Sequence, residues 1–72
     1  MSALDDRLLA AHAAMDTALL VDLYTEAADQ AVDETACGFY LTHAYVFALE
    51  LGSKKAPALR NRLIAMGRET PL

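Results

Sequence analysis

The segment from Ala36 to Leu51 is apolar around most of its circumference, long enough for about four turns of helix, and flanked by segments of opposite charge. A helix of that kind is stable only where neighbouring elements cover it, so it must form the centre of a small helical fold. That requirement constrains the rest of the chain more than any other feature does.

The flanks differ sharply in charge. Residues 1 to 50 carry one base, Arg7, against nine acids, a net of −8. Residues 51 to 72 carry Lys54, Lys55, Arg60, Arg62 and Arg68 against Glu69, a net of +4, which brings the chain to −4. Opposite blocks of this kind favour contact between the basic segment and the acidic body, within one chain or between chains. An acidic total argues against nucleic acid, whose phosphates need a basic face.

Seventy-two residues make one domain, residues 1–72, and a chain this short hides only about 60% of its extended surface on folding. With 56% hydrophobic residues, five aromatics and no Trp, there is more apolar surface than a compact monomer covers easily. Self-association is the expected outcome. Cys37 is the single cysteine, which excludes an internal disulfide and fits a reducing compartment. No apolar run reaches about 18 residues, and Asp5 and Asp6 before Arg7 do not resemble the basic start of a signal peptide. The expected location is cytoplasmic, without membrane contact.

Periodicity and stop signals define four helices and no strand, at about residues 3–14, 17–32, 35–51 and 57–66, with a frayed tail at 68–72. The fold class is all-α, a small antiparallel bundle of three to four helices. Ser2 is placed to cap the first helix, whose apolar positions are Leu4, Leu8, Ala11 and Met15. The second helix carries its stripe on Leu20, Leu23, Tyr24, Ala27 and Ala31, roughly 160° around the axis from that of the first. One straight helix cannot aim both stripes at a single core, so the chain should break near Ala14 to Asp16, with Asp16 as the next cap. The opposite face of the second helix holds an acidic ridge, Asp22, Glu26 and Asp29.

Asp33, Glu34 and Thr35 form the next connection, where acids suit the positive end of the helix that follows. The central helix stops at Gly52, and its crowded face is read as Tyr40, Phe47 and Leu51 beside Cys37, Ala44 and Ala48. Phe39 and Val46 share a stripe with Thr35, Thr42, His43 and Glu50, which makes Phe39, His43, Val46 and Glu50 the candidate contact surface. Pro57 suits the first turn of the last helix, whose apolar side is Leu59, Leu63 and Met66.

The run Tyr40, Ala44, Phe47, Gly52 and Ala56 resembles one tetratricopeptide-type unit, with Leu20, Tyr24 and Ala27 as a degenerate echo of it. The resemblance spans about half the chain, and it implies protein binding without chemistry.

No residue pattern indicates catalysis or a cofactor. Cys37 and His43 lie roughly 120° apart on their helix and His12 is far off along the chain, so a metal site is not expected. Cys37 sits in a first turn, where thiols are activated, but on a face read as buried, where cysteines act as small hydrophobes. The glycines are isolated, which excludes a phosphate loop, and no small-molecule substrate is indicated. The basic segment Lys54, Lys55, Arg60 and Arg62 is matched in sign to the acidic ridge. The expected function is a small interaction or assembly module forming a homodimer or binding another protein. The alternative is a monomeric tetratricopeptide-like adaptor that grips a peptide or helix with Tyr24, Tyr40 and Phe47.

Overall fold

The computed structural model describes residues 3–68, which form four helices: α1 (Ala3–Ala13), α2 (Thr17–Gln30), α3 (Glu34–Leu51) and α4 (Ala56–Ala65). Among the described residues there is no strand, so the protein is a small all-α bundle. Its Cα trace is flattened, with extents of 35 × 29 × 12 Å.

Local chemistry sets the helix ends. Asp16 accepts from the Leu19 amide at 3.1 Å and Asp33 from the Ala36 amide at 2.7 Å, each satisfying a first-turn donor that the helix leaves unpaired. The Asp33 cap starts α3 at Glu34, one residue before the expected position. Gly52 ends α3 with φ +68°, and the Ser53 amide reaches back to the Ala48 carbonyl at 2.8 Å. α4 starts at Ala56, so Pro57 lies one residue inside the helix.

The connection between α1 and α2 corrects one expectation. Met15, assigned to the apolar stripe of the first helix, is outside it, 85% exposed and left-handed at φ +54°. It lies in the turn between α1 and α2, past the end of the helix whose periodicity would have carried it to the core. The cap expected of Ser2 and the fraying expected of 69–72 lie outside the described residues. Arg68, placed in that tail, is described, and its side chain lies directly over Gly38, where there is no room for a Cβ.

Two apolar clusters share α2. One joins Val21 and Ala28 of α2 to Leu41, Ala44 and Ala48 of α3 and to Ala56, Leu59 and Leu63 of α4. The other joins Ala11 of α1 to Leu20 and Leu23 of α2, with Leu4 and Leu8 packed against it. Tyr24 and Phe47 touch both clusters. α2 therefore packs against α1 with one side and against α3 with the other, around Tyr24, and α4 packs in turn on α3.

Ala44 and Ala48 are completely buried, which places the close helix contact on the small-residue face. The surrounding residues differ from the expected face. Leu41 and Gly38 are buried, Tyr40 and Phe47 are half-buried, and Leu51 is exposed. The buried arc thus lies farther toward α4, because α4 covers α3 from that side with Leu59 and Leu63. Two stability measurements check this packing. Ala48→Leu should cost about 1–3 kcal/mol through overpacking. Met15→Gly should stabilise by up to about 1 kcal/mol, since glycine adopts positive φ freely. Both are read from urea denaturation midpoints.

Candidate interaction surfaces

The acidic ridge is flanked by basic side chains from two helices. Asp29 pairs with Arg62 of α4 at 2.8 Å and Asp22 with Lys55, the residue just before α4, while Glu26 pairs with Arg7 of α1 at 2.9 Å. The basic segment thus meets the ridge within one chain at Lys55 and Arg62. Lys54 is exposed, and Arg60 is half-buried on the far side of α4, beside a groove it shares with Tyr45, Leu49 and Pro57. Arg7 is the partner that sequence reading missed. Its signal was present, as the single base among the first 50 residues, but its helix had no known orientation relative to α2.

The ion-paired residues are all substantially exposed, so each pair contributes about 0–1 kcal/mol and chiefly fixes the register of α4 on α2. Between them runs a groove of about 430 Å³ with acids on one wall, bases on the other and Leu59 in its lining. The charges in this groove already satisfy one another.

A second constellation surrounds Tyr24. Its hydroxyl lies 2.8 Å from His12 Nε2, and its ring stacks on His43 with centroids 5.0 Å apart and on Phe47 at 5.9 Å. The expectation that His12 and His43 are remote is corrected: both imidazoles contact Tyr24, one at its edge and one at its face. No spacing along the chain could reveal this, because α1 brings His12 in from another helix. Burial, and to a smaller extent Tyr40, push the Tyr24 phenol above the ordinary tyrosine range. His43 Nδ1 lies 2.9 Å from the Phe39 carbonyl, which can only accept, so Nδ1 is the protonated nitrogen. The Phe39 ring leans on His43 at 4.4 Å.

The outer side of α3 is the third surface. Phe39 is 56% exposed, Val46 45% and Leu49 56%, and Thr35, Thr42 and Glu50 are exposed along the same side. Of the four residues read as a contact stripe, Phe39, Val46 and Glu50 face outward, whereas His43 is half-buried between Phe39 and Tyr24. Leu49, absent from that reading, extends the apolar run. Beside it, Thr42, His43, Val46 and Phe47 line a hollow of about 200 Å³.

Among the described residues, no three His, Cys, Asp or Glu side chains gather closely enough to hold a metal ion. Cys37 is a free, half-buried thiol packed against the α2–α3–α4 cluster. No described helix is long and apolar enough to cross a membrane. No family model, curated protein or solved structure matches the chain.

Two predictions follow from the geometry at Tyr24 and the ridge. Tyr24→Phe should cost about 0.5–1.5 kcal/mol at neutral pH by removing the hydrogen bond to His12. Because folding holds the phenol neutral, its contribution is complete below the unfolded value of about 10 and is lost as pH rises through the raised folded value. Denaturation at about pH 9 and 11, on either side of the unfolded value, should show a larger alkaline loss in the parent than in Tyr24→Phe. In a double-mutant cycle, Arg62→Glu and Asp29→Arg should each destabilise, while together they recover about 0.2–1 kcal/mol at low salt and less at about 500 mM.

Proposed function

We propose that this protein is a small protein–protein interaction and assembly module that performs no catalysis and associates through the outer face of α3. The observation that carries this reading is the row Phe39, Val46 and Leu49, three large apolar side chains about half exposed on one side of a helix whose other sides are covered. Large apolar groups in a row on the surface of so small a domain retain a water-exposure cost that association relieves. The opposite side of the hairpin supports the assignment: the α2 ridge has its charges paired within the chain and offers little binding energy. The free Cys37 thiol supports a reducing, cytoplasmic setting. The product of association is a homodimer.

A second reading, the monomeric tetratricopeptide-like adaptor, draws support from an apolar groove of about 290 Å³ that reaches Tyr40 and is lined by Leu4, Leu8, Ala27 and Val32. Tyr24 and Phe47 favour it less, since their rings stack on each other and fill the space between α2 and α3. Mass in solution separates the two readings. Light scattering across a concentration series should give a rising dimer fraction, and Phe39→Ser with Val46→Ser should abolish it while helical circular dichroism is retained. A protein that stays monomeric throughout supports the adaptor instead.

A further inference from the structure

We propose that the groove between α3 and α4 is a docking surface for an acidic peptide segment of a partner protein. One apolar side chain of that segment enters between Tyr45, Leu49 and Pro57, and a neighbouring carboxylate meets Arg60.

Shape supplies the apolar part of the site. The groove holds about 310 Å³, near the lower end of the range for ligand clefts, which suits one large side chain and its immediate neighbours in a peptide. Ala56 is buried and Tyr45 half-buried in its lining, while Leu49, 56% exposed, and Pro57 stand open to water on the α3 and α4 sides. An apolar side chain placed here removes both from water.

Charge selects the occupant. Arg60 is the charged residue of the lining, and no Asp or Glu stands with it. The ridge groove, by contrast, matches acids with bases, and the groove that reaches Tyr40 contains Asp5. From Leu51 to Arg68 the chain carries Lys54, Lys55, Arg60, Arg62 and Arg68 and no acid, and of these Lys55 and Arg62 are taken by Asp22 and Asp29. Arg60 lies about 160° around the α4 axis from Arg62. α4 therefore turns a neutralised side to the ridge and a positive side to the groove. Lys54, exposed in the connection before α4, adds a second base at the end where Ala56 and Pro57 lie. α4 also starts there without a side-chain cap, so no acid offsets the positive end of its dipole. Glu50, the nearest acid along α3, follows Leu49 by about 100° around the axis and stands toward Phe39 and Val46. The net charge of −4 does not cancel this local field, because screening acts over about 8 Å at physiological ionic strength.

Hydrogen-bonding capacity completes the match. The Arg60 guanidinium has a fork of N–H donors that takes a carboxylate beside the contacts it makes within the chain. Asn61, exposed at the rim, offers an amide to the peptide backbone. An apolar anchor with a basic neighbour is the means by which acidic motifs are held.

The test is fluorescence anisotropy at about 150 mM salt, where only local charge acts. The probe is a short fluorescein-labelled peptide with one leucine between two pairs of glutamates. It should bind, and replacing its leucine by serine should weaken binding at least about fivefold. Lys54→Gln with Arg60→Gln should weaken it at least about tenfold, as should Leu49→Ser, with helical circular dichroism retained. Arg7→Gln with Arg62→Gln makes the same change in net charge on the other side of the molecule and should alter binding by no more than about twofold. Phe39→Ser with Val46→Ser should bind the probe as the parent does, which separates this groove from the outer face of α3. Equal losses in the two glutamine pairs would show attraction to overall charge and overturn the proposal. Equal binding of the leucine and serine peptides, or tighter binding of inorganic polyphosphate than of the leucine peptide, would replace it with a simple polyanion site. A probe that does not bind overturns it outright.

Discussion

Everything in this structure depends on the close approach of α2 and α3, which the small side chains of α3 permit. Ala44 and Ala48 have no exposed surface, and Val21 and Ala28 of α2 share their cluster. Short side chains contribute little apolar area each, so close contact must make up in dispersion what is missing in bulk. The buried Leu41 and Leu63 and the half-buried rings of Tyr24, Tyr40 and Phe47 add apolar area beside this contact. A domain of this size has little stability to spare, and loosening the hairpin would open the cluster that joins α2 to α3 and α4.

α2 distributes that packing to the flanking helices. Its apolar side chains divide between α1 and the α3–α4 pair, while its outer face accepts Arg7 from one flank and Lys55 and Arg62 from the other. Acids on a single helix thereby set the register of two neighbours. The energy of each exposed pair is small, and burial of Leu59 and Leu63 supplies the affinity of α4 for the core. The charges decide which way α4 lies once apolar contact has brought it there. Internal pairing of this kind also leaves the acidic face with little unspent charge for an external basic partner.

The outer side of α3 follows from the flattened shape. α2 and α4 cover α3 from two sides and leave the remaining arc open, where Phe39, Val46 and Leu49 stand. The same helix therefore has a closed apolar face that holds the fold and an open one on which Phe39, Val46 and Leu49 stay exposed. Its donors at Thr42 and His43 are bonded within the helix, which separates this arc from an ordinary solvated surface.

The sequence alone determined the all-α class and the chemistry of the helix ends, because these depend on near neighbours along the chain. Asp16 and Asp33 bond amides three residues away, and Gly52 adopts a conformation set by its own backbone. The opposite signs of the ridge and the basic segment were legible for the same reason, as was the exposed pair Phe39 and Val46, which shares one side of a periodic helix. Helical periodicity fixes the angles between side chains but not the direction in which a neighbouring helix stands. That direction placed Leu41 in the core and Leu51 outside it, brought Arg7 to Glu26, and set His12 and His43 on opposite parts of Tyr24. It also decided that Lys55 and Arg62 meet the acidic ridge in their own chain, since only the folded path from Gly52 to Ala56 turns α4 back along α2. Contacts between helices distant in sequence were therefore decided by tertiary packing, where the position of each helix is fixed by the surfaces of all the others.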